Sequence, residues 1–141
     1  MKFPYQKLPI HQSADPSARI VARPYLPIYL HSKAGSIDSP FYALLDSGAD
    51  NILMQAELAE AINITDIKMG KGPIKIVGVA GQVVDVYFHE VEIQVLGSDQ
   101  KIPVLVGFGE GIELPLLGRT FFEHFRKVTF DEQKEEVELH S

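Results

Sequence analysis

The stretch LLDSGAD, residues 44–50, decides how this chain is read. Its two leucines close the apolar run FYALL, and a carboxylate, a hydroxyl and a glycine follow at once. A carboxylate at the end of a buried strand, on a turn that glycine lets tighten, is held rigidly while still facing a cleft. The Ser47 hydroxyl is able to donate to neighbouring backbone or carboxylate oxygens and fix such a loop. Taken alone, Asp46-Ser47-Gly48 is most simply a strand-ending turn. The weight therefore falls on what surrounds it.

Upstream, Leu26, Ile28 and Leu30 recur at every second position, which is strand spacing, and the polar stretch HSKAGSIDSP then reads as a turn. FYALLD, residues 41–46, completes a hairpin, and its two apolar faces predict a strand buried on both sides. Downstream, QAELAEAIN is rich in helix formers, with Met54, Leu58 and Ile62 along one face and Asn63 as the stop. The glycine-punctuated segment KMGKGPIKIVGVAGQVVDVYF turns into an alternating strand carrying Val84, Val86 and Phe88 on one parity. Val91, Ile93 and Val95 continue on the other parity, which predicts a bulge near His89 and Glu90.

Ile102, Val104 and Val106 mark a further strand, followed by GFGEGIE as a loop and by the apolar run LPLLG. Residues 120–125 read as a second short helix with Phe121 and Phe125 one turn apart, and VTFDEQKEEVEL as strand, turn and strand. Residues 1–23 are polar and proline-containing, an arm or leader ahead of one domain at residues 24–141. Many short, closely spaced strands with one or two short helices predict an all-β fold, a closed or nearly closed barrel.

Composition narrows the chemistry. The chain has 141 residues, 45% hydrophobic and 23% charged, enough to bury a core without disulfides or metal. Nineteen acidic against 13 basic residues give a net charge of −6, and the basic ones are scattered, so nucleic acid is not an expected partner. The absence of cysteine excludes thiol nucleophiles and Cys-ligated zinc. The five histidines show no HExxH spacing, so no metal is expected, and GFGEG lacks the lysine of a phosphate loop. Phe121, Phe122 and Phe125 are most simply packing residues. With no signal-peptide core and no apolar run of membrane length, a soluble cytoplasmic protein with no membrane partner is the expectation.

LLDSGAD, the glycine-rich IVGVAGQVV some way after it, and LPLLGR ahead of a short aromatic helix come in one order. That order resembles the retropepsin-like aspartic peptidases, the single-lobed enzymes of retroviruses and their cellular relatives. The likeness runs over residues 26–139. The helix after DSGADNILM is more similar to that of the cellular relatives than to the compact viral enzymes. The resemblance implies that Asp46 is the catalytic aspartate, within the triad Asp46-Ser47-Gly48 followed by Ala49. It further implies that Gly78, Val79, Ala80 and Gly81 tip a flap, and that Leu116, Leu117 and Gly118 complete a ψ-shaped loop around the aspartate. Asp50 and Arg119 resemble the family's structural ion pair near the cleft. Without the Asp motif the glycine hairpin reads as an ordinary surface turn, and Asp50 and Arg119 as unrelated charges.

Aspartic proteolysis needs two carboxylates sharing one proton, one activating water and the other polarising the scissile carbonyl. This chain has a single Asp-Ser-Gly, since Asp38 is followed by Ser39-Pro40 and Asp99 by Gln100. The resemblance therefore implies a homodimeric endopeptidase with two copies of Asp46 across a twofold axis, acting on extended polypeptide without cofactor. Strands at the termini of such enzymes commonly build the dimer interface, and the apolar strands suggest hydrophobic residues beside the cleaved bond. The rival readings are a non-proteolytic peptide-binding or assembly module on the same barrel, and a small-ligand barrel with an internal cavity.

Overall fold

The computed structural model describes residues 1–8, 20–78 and 80–141. Expectations that concern residues 9–19 of the arm, and Val79 at the hairpin tip, lie outside the described residues. In chain order the strands are β1 (Lys2–Pro4), β2 (Tyr25–His31), β3 (Phe41–Leu45), β4 (Ile52–Gln55), β5 (Lys71–Val77), β6 (Val83–Val95), β7 (Lys101–Gly109), β8 (Leu116–Leu117), β9 (Lys127–Asp131) and β10 (Glu136–His140). Two short helices, α1 (Ala56–Ala61) and α2 (Arg119–Phe122), and a 3-10 turn at Ile67–Met69 complete the described elements.

The alternation in β2 becomes a hairpin because one parity is driven inward: Leu26, Ile28 and Leu30 are fully buried. β2 pairs antiparallel with β3, Leu26 opposite Ala43. It also pairs with the far end of β6, Ile28 opposite Val95, and this closes the circuit β2-β3-β8-β4-β7-β6 into a six-stranded barrel. Closure leaves those strands without the long free edge that an open sheet exposes. β5 lies outside the circuit, paired only with the first half of β6. β3 is not covered on both faces as its composition predicts: Ala43 and Leu45 are buried, whereas Tyr42 is 40% exposed, its ring edge-on to Tyr25.

Two expectations are corrected by partners that periodicity does not reveal. The predicted helix starts later, because residues 52–55 are captured as β4, which runs parallel to β7 with Ile52 opposite Val106 and Met54 opposite Phe108. Met54 is thus a strand residue in the core, while Leu58 and Ile62 do pack inward from the helix and its cap. Asn63 ends the turn in the left-handed region at φ 63°. The predicted bulge at His89 and Glu90 is absent: β6 pairs with β7 without interruption from Tyr87 to Gln94. The parity change needs no extra residue: Val86 is buried in the first half of this long strand and Val91, Ile93 and Val95 in the second, while one edge pairs first with β5 and then with β2. The irregularity sits instead in β5, between Lys71 and Ile74, where Pro73 has no N–H to give the ladder.

GFGEG is likewise not all loop, since Gly107, Phe108 and Gly109 finish β7. The helix predicted over residues 120–125 ends at Phe122, but Phe121 and Phe125 do meet, their rings tilted by 56° with centroids 5.3 Å apart. The tail folds as the β9–β10 hairpin, and β1 adds to β10 to make a second sheet of three strands. Val137 and Leu139 of β10 carry that sheet into the barrel core.

Tyr5, just past β1, is buried and donates its hydroxyl to Glu132 Oε1 at 2.8 Å in the β9–β10 turn. Burial first, and the bond to Glu132 second, push its phenol well above the ordinary tyrosine range. Above pH ~10 the unfolded chain releases this proton while the folded one keeps it, so stability falls as pH rises further. Tyr5→Phe is expected to cost about 0.5–1.5 kcal/mol at neutral pH and to flatten the loss of stability between about pH 10 and 11, read by urea unfolding at each pH.

Candidate active site

The loop after β3 is pinned by a crossing of strands. β8 runs parallel to β3, Leu44 opposite Leu116 and Leu45 opposite Leu117, and antiparallel to β4, Leu53 opposite Leu116. β3 and β4, both far from β8 in sequence, thus sandwich it, and residues 46–51 arch from one side of it to the other. Backbone bonds close the arch: Asp46 N–H donates to the Leu117 carbonyl at 3.0 Å and Arg119 N–H to the Ala49 carbonyl at 2.8 Å. Thr120 N–H adds a bond to the Asp50 carbonyl at 3.0 Å. The approach at Gly118 is so close that a Cβ there would stand 2.3 Å from the Asn51 carbonyl oxygen and 2.6 Å from that of Ala49.

Asp46 sits half-buried at the start of the arch. Its Oδ1 accepts from Gly48 N–H at 2.9 Å, and Ala49 N–H donates to its carbonyl at 3.2 Å. The carboxylate is therefore oriented by its own turn, with Oδ2 left without a partner among the described residues. The Ser47 side chain is exposed beside it. Leu117 and Gly118 are buried beneath, so the residues that carried the sequence motif are brought together as one unit.

The β5–β6 hairpin reaches over the same region. Its tip is tied by Gly78 N–H to the Gln82 carbonyl at 2.9 Å and by Gly81 N–H to the Gly78 carbonyl at 3.0 Å, with Gly81 at φ 83°. The cross-strand pair Val77 and Val83 just behind the tip is 68% and 56% exposed. Gly48, Ala49 and Asp50 on one side and Val77, Gly78 and Gln82 on the other line one cleft of about 470 Å³. Asp46 does not itself line this cleft; Gly48, whose amide it accepts, does.

No protein-family model and no curated protein matches the chain. Among solved structures, it is similar to the EIAV protease complexed with the inhibitor HBY-793, with a TM-score of 0.51 and 26% identity. The similarity covers 72% of this chain and 86% of that one. The fold is retropepsin-like. The likeness to a retroviral protease accords with the motif order.

One expected contact is not formed within the single chain. Asp50 and Arg119 are both exposed, and their side chains make no ion pair with each other. Only the backbone bonds around them bring their two segments together. Several residues of the cleft were not singled out from sequence: Gln82, Ile112, Glu113 and Leu114. The alternation of Ile112, Leu114 and Leu116 is a signal that was available, masked by the loop-like GFGEG before it. Among the described residues no cluster of His, Asp and Glu is arranged to hold a metal ion, and no helix is long and apolar enough to cross a membrane.

Proposed function

We propose that the chain is the subunit of an aspartic endopeptidase that hydrolyses extended polypeptide as a homodimer, Asp46 being the catalytic carboxylate of each subunit. The observation that carries this reading is the strand crossing that holds Asp46 on a rigid arch beside a hairpin-covered cleft, in a fold similar to that of a retroviral protease. A single carboxylate cannot act as general base and, in the same step, as the acid that polarises the carbonyl. Two copies of Asp46 supply both, because neighbouring carboxylates share one proton rather than ionise together. Ser47, Gly48, Ala49, Leu116, Leu117 and Gly118 hold the carboxylate in place.

In this reading the β5–β6 hairpin, tipped by residues 78–81, is the flap. It bends over bound peptide, offers backbone hydrogen bonds and excludes water. Its exposed valines gain cover only when peptide or a second subunit is present. Asp50 and Arg119, unpaired in the single chain, form their ion pair when the dimer and its cleft are assembled. The test is cleavage of a mixed peptide library at mildly acidic pH, with the oligomeric state measured in the same sample. Cleavage by a dimer supports the reading; a monomer that binds peptide without cleaving it supports the binding-module alternative.

A further inference from the structure

The cleft between the Asp46 arch and the β5–β6 hairpin has an uneven lining. Its walls are apolar, including Leu53, Ile76, Val84, Ile112 and Leu116. Its charged lining residues, among those described, are Asp50 and Glu113, with no Lys, Arg or His beside them. Neither carboxylate is engaged in a salt bridge among the described residues, and both residues are exposed. Lys75 of β5 pairs with Asp85 at 3.1 Å, and Arg119 does not line the cleft. The loop that carries Glu113 is also fixed, because Gln55 Nε2 donates to the Glu113 carbonyl at 3.1 Å.

We propose that this cleft selects a lysine or arginine side chain in the bound peptide, alongside the apolar residues that its walls accept. The chemistry matches part for part. The aliphatic stem of Lys or Arg packs along apolar walls while its cationic head reaches a carboxylate at the margin. An acidic peptide side chain in the same place meets the Glu113 carboxylate, which stays unpaired even where Asp50 is bound to Arg119 in the dimer. The inference rests on the peptidase reading for the identity of the groove, and it adds the substrate class to that reading.

The test uses the full chain carrying Asp46→Asn, so that binding is measured apart from cleavage. Fluorescein-labelled peptides with an apolar centre, each carrying a single Lys, Gln or Glu walked through every position, are titrated by fluorescence polarisation at low and high salt. At one or two positions the Lys peptide is expected to bind about tenfold tighter than the Glu peptide at low salt, with the gap shrinking as salt rises. Adding Glu113→Gln is expected to narrow the gap, and Glu113→Lys to reverse it. Equal binding of Lys and Glu peptides at every position, or no peptide binding at all, overturns the proposal. Cleavage of the best Lys peptide by the unsubstituted chain is scored separately. Selective binding without cleavage sinks the peptidase reading and leaves the selectivity standing.

Discussion

Asp46→Asn is expected to lower kcat for peptide hydrolysis by about 10³-fold or more while leaving the fold intact. The substitution is isosteric and keeps an oxygen for the Gly48 amide, so the arch retains the bond that orients the side chain. What disappears is the exchangeable proton of the dyad. The amide neither takes a proton from water nor passes one to the departing amine. The pH profile makes the same point independently. A dyad sharing one proton gives a bell-shaped dependence on the acid side of neutrality, since activity requires one carboxylate ionised and one protonated. In Asp46→Asn whatever activity remains is expected to lose that bell. Circular dichroism and the melting temperature serve as the control, because Asp46 is half-buried and its carboxylate bonds to the Gly48 amide of its own turn.

The largest stability effect is expected at Gly118. A methyl group there meets backbone on all sides, 2.3 Å from the Asn51 oxygen, 2.6 Å from the Ala49 oxygen and 2.8 Å from the Asn51 nitrogen. Backbone atoms cannot rotate away as a side chain would, so Gly118→Ala must push the arch off β8 or open the β3–β8 pairing. A cost of about 3 kcal/mol is expected, at the upper end of overpacking changes, lowering the melting temperature by about 6–12 °C. Gly97→Ala provides the contrast. Gly97 has φ 90° but open space around its Cβ position, so only the backbone conformation is penalised, by about 1–2 kcal/mol. If Gly118→Ala costs no more than Gly97→Ala, the crossing at β8 is looser than described. Peptidase activity in Gly118→Ala should fall further than stability alone requires, because the displaced segment is the one that carries Asp46.

The comparison between residue pattern and structure has a physical logic. Elements built from local periodicity were legible: β2, β7 and the β9–β10 hairpin follow from alternation, and the pair Phe121 and Phe125 from helical spacing. The two motifs of the candidate site, Asp46-Ser47-Gly48 and Leu116-Leu117-Gly118, were legible as separate segments, and one strand crossing joins them. Long-range pairing was not. β4 is a strand only because the edge of β7 captures it, and ILMQ alone is indistinguishable from the first turn of the helix that follows. The parity change in β6 suggested an extra residue, yet the strand pairs with β7 without interruption and its other edge passes from β5 to β2 along its length. The irregularity went to Pro73, where a missing donor placed it. Glu113, the acidic margin of the cleft, stood in what read as a featureless loop, and nothing local marks it as facing the hairpin.

The central claim is that two Asp46 carboxylates from different chains make one site. Its most direct test is a mixing experiment. Unsubstituted chain is unfolded and refolded together with an equal amount of Asp46→Asn chain, and its peptide cleavage is compared with that of the same quantity refolded alone. If each site needs both aspartates, random pairing places half of the active chains in silent mixed dimers, and activity falls to about half. A larger excess of the variant suppresses it further. Activity that is unchanged by the added variant would mean that one chain carries a complete site, and would contradict the account.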